Sequence, residues 1–171
     1  MAIITLKNNS LSSVTELPSG ISGQNYPAFE AYLSSSQSIS DAVRTTINVN
    51  TEHFDTDGCY DTGTYRFTPN VAGKYFCYAN ALLDAVGTSN LNLVALYFLK
   101  NSATTVAERL VSFQSNPAQY FNAPIYKVIE FNGTTDYIVF QAYIDDISGT
   151  PSVGGNATDS RTNFGAYRIG D

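Results

Sequence analysis

The chain has 171 residues, enough for one domain with a tail, and its composition is 13% aromatic but only 14% charged. This charged fraction is well below the ~25% typical of globular domains, so it predicts sheet surfaces and polar turns rather than charged helices. The net charge of −6, without a basic run, excludes nucleic acid and anionic membrane surfaces as expected partners.

Residues 1–25 differ from the rest of the chain. They contain no charged region followed by an apolar core, so we expect no signal peptide. Their apolar residues are too irregularly spaced for an amphipathic helix, which leaves a solvated, disordered tail or an extended arm that orders on another protein. We favour the arm, because the apolar residues of a solvated tail would stay exposed to water. The predicted anchoring residues are Ile3, Ile4, Leu6, Leu11, Val14 and Leu17.

Residues 26–171 carry repeated strand signals. No segment has both start and stop signals for a helix, and Asn132-Gly133 is a strong turn dipeptide between two of the strands. The pattern predicts an all-β domain, an antiparallel jelly-roll sandwich. The predicted strands are Ala28–Leu33, Thr45–Val49, Tyr65–Thr68, Gly73–Leu83, Leu91–Leu99, Ala107–Phe113, Tyr126–Phe131, Tyr137–Ile144 and Phe164–Ile169, with a turn-rich stretch at His53–Thr64.

Two of these strands, Leu91–Leu99 and Tyr137–Ile144, are apolar or aromatic on both faces. The solvent-facing side of an antiparallel sheet should be polar. The apolar outer face of these two strands should therefore be covered by a second partner. A loop or the arm of the same chain could cover it, but we favour contact with another subunit. The predicted interface residues are Tyr97, Tyr137, Val139, Gln141 and Tyr143.

The segment from Phe54 to Ala79 resembles the globular head domain of the complement recognition component, which shares its jelly roll with tumour necrosis factor. Asp55, Tyr60, Phe67, Gly73 and Tyr75 match the family signature at its expected spacing. The match departs at positions 49, 77 and 79, where the family prefers aromatic residues. Ala28–Leu33, residues 128–140 and Phe164–Ile169 resemble the family's first strand, late hairpin and closing strand.

This resemblance covers residues 28–169 and has two implications. Phe67, Tyr75 and Cys77 should point into the core, and the protein should assemble as a compact homotrimer through an aromatic sheet face. Residues 10–18, SLSSVTELP, resemble the short leaders of structural proteins from marine tailed bacteriophages. That second resemblance implies a virion protein, made in the host cytoplasm, whose partner is the major capsid protein.

Candidate chemistry is sparse. The single histidine, His53, has no accompanying nucleophile-elbow motif, and we expect it in a surface loop. Asp55-Thr56-Asp57-Gly58 begins like a calcium loop, but Arg66 occupies the place of the bidentate acid. Looser calcium coordination by Asp55, Asp57 and Asp61, or by Asp145 and Asp146, is left open beside the turn-forming role of aspartate. We expect no cofactor.

Cys59 and Cys77 could form one disulfide, but nothing in the sequence indicates an oxidising compartment. The leading hypothesis is therefore a non-enzymatic, trimeric knob that decorates or cements a phage capsid through its arm. The second is a receptor- or carbohydrate-binding module at a fibre or tail tip, with Tyr120, Phe121 and Asn122 as a ligand loop suited to sugar rings. The same three residues could instead pack in an interface.

Overall fold

The computed structural model describes residues 26–87 and 90–170. These ranges contain strands, turns and bends but no helix, and hence no helix that could cross a membrane. The strands are β1 (Ala28–Tyr32), β2 (Ser35–Ser38), β3 (Thr45–Thr46), β4 (Thr51–Asp55), β5 (Tyr60–Asp61), β6 (Arg66–Phe67), β7 (Gly73–Asp84), β8 (Leu91–Lys100), β9 (Thr104–Ser112), β10 (Tyr120–Phe131), β11 (Ile138–Asp146), β12 (Ser152–Asn156) and β13 (Asn163–Gly170).

The strands form two antiparallel sheets. Sheet A has the order β2-β12-β7-β13-β1-β4, and β10 pairs with the other edge of β7. Sheet B has the order β5-β6-β11-β8-β9, and β3 also pairs with β11. The predicted all-β jelly roll is confirmed.

The core lies between the two sheets and follows the alternation of the long strands. In β7 every second residue from Tyr75 to Leu83 is buried, and in β11 Ile138, Phe140, Ala142 and Ile144 are buried. Phe67, Tyr75 and Cys77 have no exposed area, so the prediction that they point inward is confirmed. Since alternate residues of a strand face opposite sides of a sheet, the residues between these core positions form the outer faces.

Several elements differ from those predicted. β2 and β12 were missed, because SSQS and SVGGN carry no alternating apolar pattern. The predicted turn region His53–Thr64 contains the end of β4 and all of β5. β10 begins at Tyr120, six residues before its predicted start. The predicted arm, with Ile3, Ile4, Leu6, Leu11, Val14 and Leu17, lies outside the described residues.

Asn132-Gly133 forms the predicted turn between β10 and β11. The Asn132 Oδ1 atom accepts hydrogen bonds from the backbone N–H groups of residues 134, 135 and 136. Gly133 has a φ of +72°, and a Cβ there would lie 2.3 Å from the backbone nitrogen of Ala72. Only glycine satisfies both the left-handed backbone and the close approach of a second loop.

Replacing Gly133 should therefore lower the stability of the fold. We expect Gly133→Ala to lower the free energy of unfolding by about 3 kcal/mol or more, because backbone strain adds to a clash that only backbone movement relieves. The matched control is Gly58→Ala, since Gly58 has a φ of +64° but nothing within 4 Å of the added carbon. Its cost should be only about 1 kcal/mol. Urea unfolding of both variants would contradict this account if the two costs were equal.

Candidate functional site

The outer face of sheet A carries a contiguous group of aromatic and apolar side chains, which we name the aromatic face: Phe76, Tyr78, Tyr126, Val128 and Tyr167. Tyr78 pairs with Tyr126 across β7 and β10, and Phe76 pairs with both Val128 and Tyr167. The Phe76 ring centroid lies 5.6–6.3 Å from the ring centroids of Tyr78, Tyr126 and Tyr167. Pairing and stacking therefore join the side chains into one patch.

Much of the aromatic face is open to solvent. Tyr126 is 67% exposed, Val128 46% and Tyr167 36%, while Phe76 and Tyr78 are half-buried. Gly165 leaves the space that the Tyr78 ring needs, because a Cβ there would lie 2.5 Å from Tyr78 Cζ. A contiguous exposed apolar patch is a common mark of an interaction surface.

Polar groups border the aromatic face on the β1 side. The Tyr78 hydroxyl donates a 2.5 Å hydrogen bond to Glu30 Oε2. Burial, together with this hydrogen bond and the charge of Glu30, raises the pKa of Tyr78 above its ordinary value. The phenol therefore stays protonated at neutral pH and acts as a donor that fixes the ring.

His53 is in strand β4 rather than in the predicted surface loop. Its ring stacks on Tyr32 at a centroid distance of 4.5 Å, and its Nε2 atom lies 3.0 Å from Ser160 Oγ and 4.0 Å from Glu30 Oε1. In a serine–histidine–acid triad the two partners contact different ring nitrogens. Here both approach the same nitrogen, so these three residues do not have triad geometry.

The residues predicted for subunit contact lie on the outer face of sheet B. Tyr97 and Val139 are each only 5% exposed, and Tyr137, Gln141 and Tyr143 are half-buried. Two arginines cover part of this face: the Arg44 guanidinium lies 3.7 Å from the centroid of Tyr97, and that of Arg66 lies 4.3 Å from the centroid of Tyr137. Contact by this face stays a prediction, but the aromatic face of sheet A is the more open of the two.

The predicted ligand loop is not a loop. Tyr120, Phe121 and Asn122 begin strand β10 and pair with Asp84, Leu83 and Leu82 of β7. Phe121 packs against the core and contacts Phe113 edge-on at 5.2 Å. Tyr120 is 54% exposed and Asn122 is exposed as well. Only these two of the three side chains are therefore presented to solvent.

Two of the five aspartates left open for calcium, Asp55 and Asp61, stabilise turns. Asp55 accepts hydrogen bonds from the backbone N–H groups of Asp57 and Tyr60, and Asp61 accepts from Gly63 N–H and the Thr64 hydroxyl. These bonds, led by that of Thr64, lower the pKa of Asp61. Within residues 26–87 and 90–170, no three His, Cys, Asp or Glu side chains are grouped to hold a metal ion.

The two cysteines are buried and remain free thiols. Cys59 is in the turn before β5, while Cys77 points into the core from β7. Burial raises the pKa of both thiols above the ordinary value. Since the thiolate is the reactive form, neither cysteine has the character of a nucleophile.

The two packed antiparallel sheets define the class of the protein, a jelly-roll domain. The fold of the chain is similar to that of the globular domain of zebrafish complement 1qA protein, with a TM-score of 0.59 and 14% identity, over 84% of this chain and 97% of that one. It is also similar to murine APRIL, with a TM-score of 0.57 and 12% identity, over 83% and 99% of the two chains. No family model and no curated protein matches the sequence. At 14% and 12% identity, this similarity establishes the fold alone.

Proposed function

We propose that the protein is a non-enzymatic structural subunit that assembles into a homotrimer through the aromatic face. The observation that carries this proposal is the exposure of Tyr126, Val128 and Tyr167 beside Phe76 and Tyr78 on one face of sheet A. Aromatic residues are enriched in the buried centres of protein interfaces. Burial of this face against other copies of the chain would remove its apolar side chains from water.

A threefold assembly requires two different surfaces that fit each other, because its contacts are heterologous. The edge of the sandwich offers the second surface. Between β9 and β10 lies an open groove of about 300 Å³ lined by Glu108, Arg109, Pro124, Ile125 and Tyr126. Tyr126 belongs to both the groove and the aromatic face, so the two surfaces adjoin. Their adjacency would let protomers meet around one axis, in keeping with the trimers implied by the complement-head resemblance.

We further propose that the trimer is a virion protein that decorates or cements a tailed-phage capsid, with its arm bound to the major capsid protein. The resemblance of residues 10–18 to phage leaders supports this role, as do the isolated apolar residues of the arm. Trimers suit the threefold and quasi-threefold positions of a capsid. With a net charge of −6 and no basic run, the chain has no expected affinity for packaged nucleic acid.

Removing the arm should separate assembly from attachment. We expect the chain without residues 1–20 to remain a folded trimer by light scattering but to lose binding to capsids, since the arm supplies the contact. The control is a full-length chain in which Lys7, Asn8 and Asn9 are replaced by serine, which keeps every apolar residue of the arm. Retained binding by the truncated chain would contradict the arm as the anchor.

Receptor or glycan binding is the second candidate function. The exposed Tyr120 ring and the Asn122 amide lie two residues apart in β10, beside Asp84 on the paired strand. A flat aromatic ring beside amide and carboxylate groups suits stacking on a sugar and hydrogen bonding to its hydroxyls. A glycan array in which Tyr120→Ala binds as well as the wild type would remove this candidate.

A further inference from the structure

Arg109, in β9, is a cation without an ion-pair partner among the described residues of its own protomer. Its side chain is exposed and lines the groove between β9 and β10. The preceding residue, Glu108, pairs with Tyr97, whereas Arg109 pairs with the core residue Leu96. Since alternate residues of a strand face opposite sides of a sheet, the two charged side chains leave β9 in opposite directions. The guanidinium is therefore available to an acidic group from outside the protomer.

Glu30, in β1, is the complementary anion at the far border of the aromatic face. Only 26% of its side chain is exposed, and its Oε2 atom accepts the hydrogen bond of the Tyr78 hydroxyl. Its Oε1 atom lies 4.0 Å from His53 Nε2, a contact that is an ion pair only when the histidine is protonated. No lysine or arginine of the described residues forms an ion pair with this carboxylate. A half-buried carboxylate in these surroundings would be stabilised by a cation from another chain.

The two charges lie at opposite ends of one continuous surface. The groove adjoins the aromatic face through Tyr126, and β1 is three strands away from β10 in sheet A, in the order β10-β7-β13-β1. At the usual spacing of strands this separation is about 14 Å. A heterologous contact joins different surfaces of two copies, so a ring of copies can bring the groove end of one protomer to the β1 end of the next.

We propose that the groove between β9 and β10 receives the β1 border of the aromatic face of a second copy, with Arg109 of one protomer paired to Glu30 of the other. This inference rests on the proposed trimer and deepens it, because it specifies which two surfaces meet. Complementary charges fix the register of an interface and disfavour other pairings. The planar guanidinium also suits a carboxylate, which it can bind through two parallel hydrogen bonds. Pro124 and Ile125 supply apolar contact beside the charged pair.

Charge reversal in the full chain is the first test, with the monomer–trimer midpoint concentration measured by sedimentation equilibrium. We expect Arg109→Glu to raise this midpoint by about 100-fold or more, because like charges then face each other. Adding Glu30→Lys to Arg109→Glu should lower the midpoint again by at least about tenfold. The control combines Arg109→Glu with Asp57→Lys, which has the same net charge but changes an exposed residue of the turn between β4 and β5. It should give no recovery.

Cross-linking tests the same contact without charge reversal. Chains with Arg109→Cys and chains with Glu30→Cys, co-expressed and treated with a short bismaleimide, should form covalent dimers that contain one chain of each kind. Neither variant alone should be cross-linked, because the contact joins unlike surfaces. A chain that carries both substitutions should form a closed covalent trimer. The wild type is the control for Cys59 and Cys77, which are buried.

Failure of this contact is distinguishable from failure of the trimer. If the wild type is trimeric but the double charge reversal gives no recovery and unlike chains are not cross-linked, the Arg109–Glu30 contact is wrong and the trimer stands. Cross-links formed by Arg109→Cys alone would indicate a twofold contact between β9 edges and would also overturn the proposal. A monomeric wild type would contradict both the trimer and this contact.

Discussion

Tyr126→Asp is expected to convert the proposed trimer into monomers. The Tyr126 side chain is 67% exposed in the single chain, so the substitution should leave the fold intact. In the trimer it would place a charge in an apolar contact at each of three equivalent interfaces. Loss of one central aromatic residue often costs an interface 2 kcal/mol or more. Light scattering coupled to size exclusion should show the mass fall from three times the 18.5 kDa of one chain to that of one chain.

Two variants on the other sheet serve as comparisons. Leu110→Asp adds the same charge at a residue of β9 in sheet B that is 53% exposed, and it should remain trimeric. Tyr143→Asp tests the face that the sequence predicted for subunit contact. If Tyr143→Asp were monomeric and Tyr126→Asp trimeric, sheet B would be the interface and the aromatic face would need another partner. A monomeric wild type would contradict the trimer itself.

The long strands were predictable because burial imposes a period of two on them. β7, β8 and β11 each end within two residues of the predicted position, since their inward residues are apolar. β2 and β12 gave no such signal. Gly155 of β12 lies so close to β2 that a Cβ there would be 2.3 Å from Ser35 O. The close approach of the two backbones, rather than a pattern of apolar side chains, characterises the β2–β12 pair.

The aromatic face could have been inferred from the same alternation. Once Tyr75 and Cys77 are assigned to the core, Phe76 and Tyr78 must point outward. Because β7 has aromatic residues on both sides, its sequence alone does not show which side faces solvent. The sequence favours the sheet B face because the strands that contain Tyr97 and Tyr143 are apolar or aromatic on both sides. Arg44, which covers Tyr97, is far from it along the chain. Local patterns do not reveal cover supplied by a distant segment.

Phe67→Ala is expected to cause the largest loss of stability. The Phe67 ring has no exposed area, and although it belongs to β6 of sheet B, it stacks on Phe29 of sheet A at 4.5 Å. It also contacts Tyr75 and Phe131 edge-on at 5.7 and 5.9 Å. Removing the ring leaves a cavity where the two sheets meet, and such a change costs about 3–5 kcal/mol. Because whole domains are stable by only about 5–15 kcal/mol, the variant should be close to unfolding.

The matched control is Phe54→Ala, which removes the same atoms from a β4 side chain that is 47% exposed. Its cost should be about 1 kcal/mol or less. Both variants are best measured by urea unfolding in the Tyr126→Asp background, where assembly should no longer add a concentration-dependent term. Equal losses for Phe67→Ala and Phe54→Ala would mean that the aromatic contact between the sheets does not hold the sandwich together. A loss confined to Phe67→Ala would show that the Phe67 contacts contribute to stability, because of these two rings only that of Phe67 packs between the sheets.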